Sequence, residues 1–105
     1  MSLSSRRRSP RYSFSTRLDV EWGSTALRAE VSDLSREGMM LRMPQPLWVG
    51  ATFKARMALA EPLVVDCVVR RVLPGQGMGV EFVGVPPTSH DRLSSLLDEL
   101  EAAPQ

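Results

Sequence analysis

Five arginines, Arg6, Arg7, Arg8, Arg11 and Arg17, precede the first acidic residue, Asp19. Arg7 and Arg11 are spaced R-x-x-x-R. Further along, Asp33-Leu34-Ser35-Arg36-Glu37-Gly38 has the form D-x-S-x-x-G. These residue types do binding chemistry. A guanidinium fork matches two phosphate oxygens, and equally the O6 and N7 acceptors on the Hoogsteen edge of guanine. Its plane can also stack on a base. A carboxylate such as Asp33 accepts from the N1–H and N2–H₂ donors of guanine, a pair that adenine lacks. The Ser35 hydroxyl can meet a phosphate or a base edge. Gly38 is expected to supply a positive φ and to let the backbone turn close to a ligand. Either motif alone is weak, since arginine tails are often solvated and D-x-S-x-x-G can be a plain turn. Together, in this order and on one small domain, they are specific.

Catalysis has little support, and no catalytic residue is assigned. His90 is the only histidine and falls in the first turn of a predicted helix, an exposed or capping position. Cys67, the only cysteine, falls at an inward strand position and is expected to be a small core residue. No His/Cys/Asp cluster has metal-ligand spacing. Ser35 has no histidine or lysine nearby in sequence to activate it, and there is no G-x-x-x-x-G-K-[ST] loop.

The elements that position these residues follow from the totals and the periodicity. A chain of 105 residues with 43% hydrophobic content supports one domain with one modest core. The formal net charge of +1 hides the basic excess at the N-terminus. Twelve of the thirteen basic residues are arginine, with Lys54 the exception, which favours forked recognition over point charge. One cysteine allows no internal disulfide, in keeping with a reducing cytoplasm. The N-terminus has no apolar run like that of a signal peptide, and no segment approaches the ~20 apolar residues of a membrane span.

Residues 1–15 are Ser- and Arg-rich and are expected to form a flexible basic arm. Residues 16–101 are expected to form the folded domain. Leu18, Val20 and Trp22 alternate with Arg17, Asp19 and Glu21, which predicts a half-buried strand from Thr16 to Trp22. Leu27, Ala29 and Val31 predict a second strand, with D-x-S-x-x-G as the connection after it. A third begins near Met39, and a fourth carries Phe53, Ala55 and Met57. The β-branched run Val64 to Leu73 predicts the longest strand, with Val65, Cys67 and Val69 inward. Met78, Val80 and Phe82 predict a sixth. Short strands with regular turn signals point to a small barrel or sandwich. After Pro86-Pro87 the period changes: Thr88 or Ser89 can cap a helix, with Asp91 completing a capping box. Leu93, Leu96, Leu97 and Leu100 give that helix one apolar stripe.

Over nearly its whole length the sequence resembles the PilZ domain family, whose members bind cyclic di-GMP. Arg7 and Arg11 resemble the family's R-x-x-x-R, and Asp33, Ser35 and Gly38 its D/N-x-S-x-x-G. Gly77-Met78-Gly79-Val80-Glu81-Phe82 resembles the G-x-G-V-E-F strand near the family's end. The resemblance implies an all-β dominated fold, a six-stranded antiparallel barrel with a basic N-terminal arm and a C-terminal α-helix. It implies a ligand site made of Arg6, Arg7, Arg8, Arg11, Asp33, Ser35 and Gly38, with no cofactor and no metal. An arginine directly before R-x-x-x-R, here Arg6, accompanies a stacked ligand pair in the family, so two intercalated cyclic di-GMP molecules per chain are expected. No attached effector domain is expected, so an unidentified protein partner would receive the signal in the cytoplasm. Two other readings stand beside this one. The first is a PilZ-like adaptor that binds no nucleotide, as in type IV pilus assembly. The second is a small nucleic-acid-binding barrel, for which Tyr12 and Phe14 are the only aromatics near the arm; no specific nucleic acid is expected.

Overall fold

The structure, a computed structural model, describes residues 10–102. Six strands, β1 (Tyr12–Trp22), β2 (Thr25–Leu34), β3 (Gly38–Arg42), β4 (Thr52–Met57), β5 (Leu63–Leu73) and β6 (Gly77–Gly84), precede one helix, α1 (Pro87–Ala102). They close into a barrel in the order β1-β2-β3-β6-β5-β4. Every neighbouring pair is antiparallel. Closure gives each strand two partners and leaves no edge to pair with another chain.

Period-2 alternation decides which side chains fill this barrel. Leu18 and Val20, Ala29 and Val31, Phe53, Ala55 and Met57, and Val65, Cys67 and Val69 are all buried. The polar residues between them face out and pair across strands: Lys54 with Asp66 at 2.9 Å, Arg56 with Glu21 at 2.9 Å and Arg70 with Glu81 at 2.7 Å. Such exposed pairs contribute about 0–1 kcal/mol each, so the apolar interior carries the stability. Helix α1 packs against β1 and β5. Its predicted stripe is present, with Leu93 and Leu97 buried and Leu96 and Leu100 partly buried against the core.

Four local expectations are corrected. Strand β1 begins at Tyr12, not Thr16. Tyr12 and Phe14 continue the parity of Leu18 and Val20 and pack partly buried against the core, so the strand reaches into the stretch assigned to the arm. Trp22 was expected inside but is 38% exposed. It ends β1 beside the Gly23–Ser24 turn and meets Trp48 edge to face, with ring centroids 5.2 Å apart. Strand β2 runs on through Leu34, so Asp33 lies on a strand, not in a connection. The helix begins at Pro87, with Thr88 and Ser89 inside its first turn and the Pro86 carbonyl accepting from the N–H groups of Ser89 and His90 at 2.9 and 2.8 Å. Proline is pre-set for this first helical position and lacks only an N–H that would have no helical partner there.

Candidate functional site

The parity of β2 should send Asp33 into the core. Leu27, Ala29 and Val31 lie on one face, and Asp33 is next in that series. The ladder to β3 shifts at this point: Val31 pairs with Leu41 and Asp33 with Met40, leaving Ser32 as an extra residue in a bulge. A bulge breaks the alternation and re-aims the following side chain. Leu34 takes the inward place and is fully buried, while Asp33 stays half-buried. Strand β1 shifts against β2 at the same level, between Ser13 and Thr16, and Ser13 stands opposite Asp33. Two irregular ladders therefore carry the carboxylate out of the barrel interior.

Beyond Leu34 the chain turns tightly. Ser35 is buried, 8% exposed, and its hydroxyl is engaged within the turn. Its Oγ accepts from the N–H groups of Glu37 and Gly38, each at 3.3 Å, and donates to the Gly38 carbonyl at 3.2 Å. The Ser35 N–H donates to the same carbonyl at 2.9 Å. The turn is then fastened to β6 by the Phe82 N–H, which donates to the Glu37 carbonyl at 2.8 Å. Ser35 thus shapes the loop from inside.

Gly38 does not adopt a positive φ; among the described glycines only Gly23, Gly50 and Gly75 do. The need for glycine is steric. A Cβ at position 38 would run into the Val80 carbonyl oxygen of β6. Gly38 pairs with Glu81 at the start of the β3–β6 ladder, and only a residue without a side chain lets the two backbones meet there.

Arg11 is exposed and directly precedes Tyr12, which pairs with Leu34. The chain therefore joins the barrel alongside the Asp33–Ser35 end of β2, and the second arginine of R-x-x-x-R comes next to D-x-S-x-x-G. Arg6, Arg7 and Arg8 lie outside the described residues. Arg36, between Ser35 and Gly38, reaches across to Asp98 of α1 at 3.3 Å. Met40 is half-buried on the outer surface beside Asp33. Its place in the site was not visible earlier because it depends on the β2–β3 register.

The remaining chemical groups lie elsewhere. His90 is exposed on α1. Cys67 is wholly buried; burial first, and then the neighbouring Asp66 carboxylate, push its thiol far above the ordinary range. Among the described residues no group of His, Cys, Asp and Glu could hold a metal ion. A cavity of about 510 Å³ is lined by residues that include Glu21, Lys54, Asp66 and Val83, and it shares none with the motifs. The candidate site is taken at the motif residues, apart from this hollow.

The sequence model of the PilZ domain matches residues 5–99. No curated protein sequence matches the chain. Among solved structures, the chain is similar to the PilZ domain of YcgR from Escherichia coli with c-di-GMP. The identity is 23% and the TM-score 0.71, over 91% of this chain and 92% of that one. It is also similar to the Bacillus subtilis inhibitor of motility MotI/DgrA, at 16% identity and TM-score 0.74, over 93% of this chain and 53% of that one. A third similar structure is MrkH, described as a c-di-GMP-dependent transcription regulatory factor, at 21% identity and TM-score 0.73, over 93% of this chain and 52% of that one. The chain spans only about half the length of the last two. At these identities the likeness is one of fold.

Proposed function

For this chain, which belongs to the PilZ domain family, we propose a receptor function: it binds cyclic di-GMP on the outer barrel surface at Asp33 and answers by changing the surface it offers to a partner. One observation carries this reading. The strand register pairs Tyr12 with Leu34, so the chain just after Arg11 enters the barrel at the Asp33–Ser35 end of β2. Asp33 accepts from the guanine N1–H and N2–H₂ groups. Arg7 and Arg11 donate to phosphate oxygens or to guanine O6 and N7. Ser35 and Gly38 hold the turn against β6, so the ligand meets a preformed wall. The similar structure of the YcgR PilZ domain with c-di-GMP supports the choice of ligand.

In this reading the arginine segment closes over the ligand. Fixing it costs about 1–2 kcal/mol per residue. Each hydrogen bond between a guanidinium and a phosphate returns about 1.5–3 kcal/mol. Several must form together, so removing Arg7 or Arg11 abolishes binding. Arg6 and Arg8 supply the donors for a second, intercalated ligand molecule. The partner is a cytoplasmic protein that recognises the closed arm.

Calorimetric titration with cyclic di-GMP, with GTP and cyclic di-AMP as controls, tests this. Selective binding of two molecules per chain is expected. One molecule per chain would keep the receptor and remove the role of Arg6. No heat from folded protein would sink the receptor reading and favour an adaptor.

A further inference from the structure

The register places one continuous row of outward residues across five adjacent strands: Ser13 (β1), Asp33 (β2), Met40 (β3), Gly79 (β6) and Arg71 (β5). Asp33 marks one side of this row, and Arg71 ends the other. From this row we infer that Arg71 is a further ligand-binding residue, donating to a phosphate or to a guanine Hoogsteen edge from the side opposite Asp33. The inference rests on the receptor reading above and extends its site by one residue.

Three observations converge. The first is a bulge. The β5–β6 ladder shifts between Val69 and Arg71, so the inward Val69 is followed by two exposed residues, Arg70 and Arg71. A bulge re-aims Arg71 just as the Ser32 bulge re-aims Asp33, and bulges are enriched beside functional sites. The second is an idle charge. Arg70 is held by Glu81 at 2.7 Å. Arg71 pairs in register with Gly79, not with a carboxylate, and makes no ion pair among the described residues. The third is a missing side chain. A Cβ on Gly79 would point between Met40 Sδ, 3.7 Å away, and Arg71 Cβ, 3.8 Å away. Glycine therefore leaves a gap in the row between the thioether and the arginine. Asp33 and Arg71 are three strand spacings apart, about 14 Å. A dinucleotide lying over Met40 and Gly79 would span that gap, with the carboxylate on one guanine and the guanidinium reaching over Gly79 from the other side.

The test is a titration of four full-length proteins with cyclic di-GMP: wild type, Arg71→Ala, Arg71→Lys and Arg28→Ala. Arg28 is also exposed, but faces Asp19 in register away from this row. Arg71→Ala is expected to bind at least tenfold more weakly, Arg71→Lys to recover part of the loss, and Arg28→Ala to match wild type. All four should melt together, because these side chains are exposed. Gly79→Leu adds a second check. A Cβ there meets only side chains at ordinary contact distances and no backbone, so the variant should fold and lose binding by covering this part of the row. Wild-type binding with Arg71→Ala within twofold of it overturns this inference and leaves the receptor standing. Undiminished binding by Gly79→Leu likewise refutes the placement over β6. A wild-type protein that binds nothing takes the receptor reading and this inference down together.

Discussion

Asp33 and Ser35 are two residues apart but do different work. Ser35 is buried and its hydroxyl serves the turn, whereas Asp33 is half-buried with no side-chain hydrogen bond among the described residues. Ser35→Ala removes the acceptor of the Gly38 N–H and should cost about 1–3 kcal/mol of stability, read from urea unfolding. Asp33→Ala should shift stability by no more than about 0.5 kcal/mol and yet weaken cyclic di-GMP binding at least tenfold. If both variants lost stability equally, the division of labour would be wrong. Gly38→Ala forces the β3 and β6 backbones apart at Val80. Overpacking of this kind costs roughly 1–3 kcal/mol, visible as a lower melting temperature. Cys67 is fully buried and its thiol is held protonated. It should resist iodoacetamide in the folded protein and react on unfolding, since the thiolate is the nucleophile.

At the level of elements, bulges distinguish the strands around the site. The β1–β4, β4–β5 and β3–β6 ladders are regular, whereas β1–β2, β2–β3 and β5–β6 each shift register. The β3–β6 ladder has a glycine at each end, Gly38 on β3 and Gly77 on β6, and a Cβ on either would run into a carbonyl of the opposite strand, that of Val80 or of Leu41. Helix α1 contributes packing. Leu97→Ala should destabilise by about 2–5 kcal/mol, measured by denaturant titration. Its link to the site turn through Arg36 and Asp98 is mostly exposed, at 49% and 68% of the side chains. Arg36→Ala should therefore change stability by less than about 1 kcal/mol.

For the whole molecule, a closed barrel with the proposed site on its outer wall has little need to deform on binding. The proposed change is concentrated in the arginine segment. Trypsin cleavage after Arg6, Arg7, Arg8 and Arg11 should slow when cyclic di-GMP is present, followed by mass spectrometry. Unchanged cleavage at saturating ligand would argue against closure of the segment. A ligand that binds only the folded state at a hundredfold over Kd stabilises it by about 2.7 kcal/mol, so the melting temperature should rise with ligand concentration. DNA and RNA should give no such rise at physiological salt.

Much of this protein can be read from the sequence because alternation is a local code. Leu18 and Val20, or Phe53, Ala55 and Met57, are buried in a barrel for the same reason they alternate with charged residues: one face of each strand must leave water. The leucine stripe of α1 was legible on the same ground. The motifs Arg7/Arg11 and Asp33/Ser35/Gly38 were legible as residue types with suitable chemistry. Even the bulge left a trace, since Leu34 is apolar at the wrong parity for β2. The tertiary structure decided the rest. Gly38 is required by a carbonyl about forty residues away on β6, which no local pattern encodes. The Ser35 hydroxyl faces inward because the turn needs an acceptor. Asp33, Gly79 and Arg71 form one row only because β3 pairs with β6 and β6 with β5. Periodicity tells a side chain which face it occupies; only strand pairing tells it which neighbours it has there.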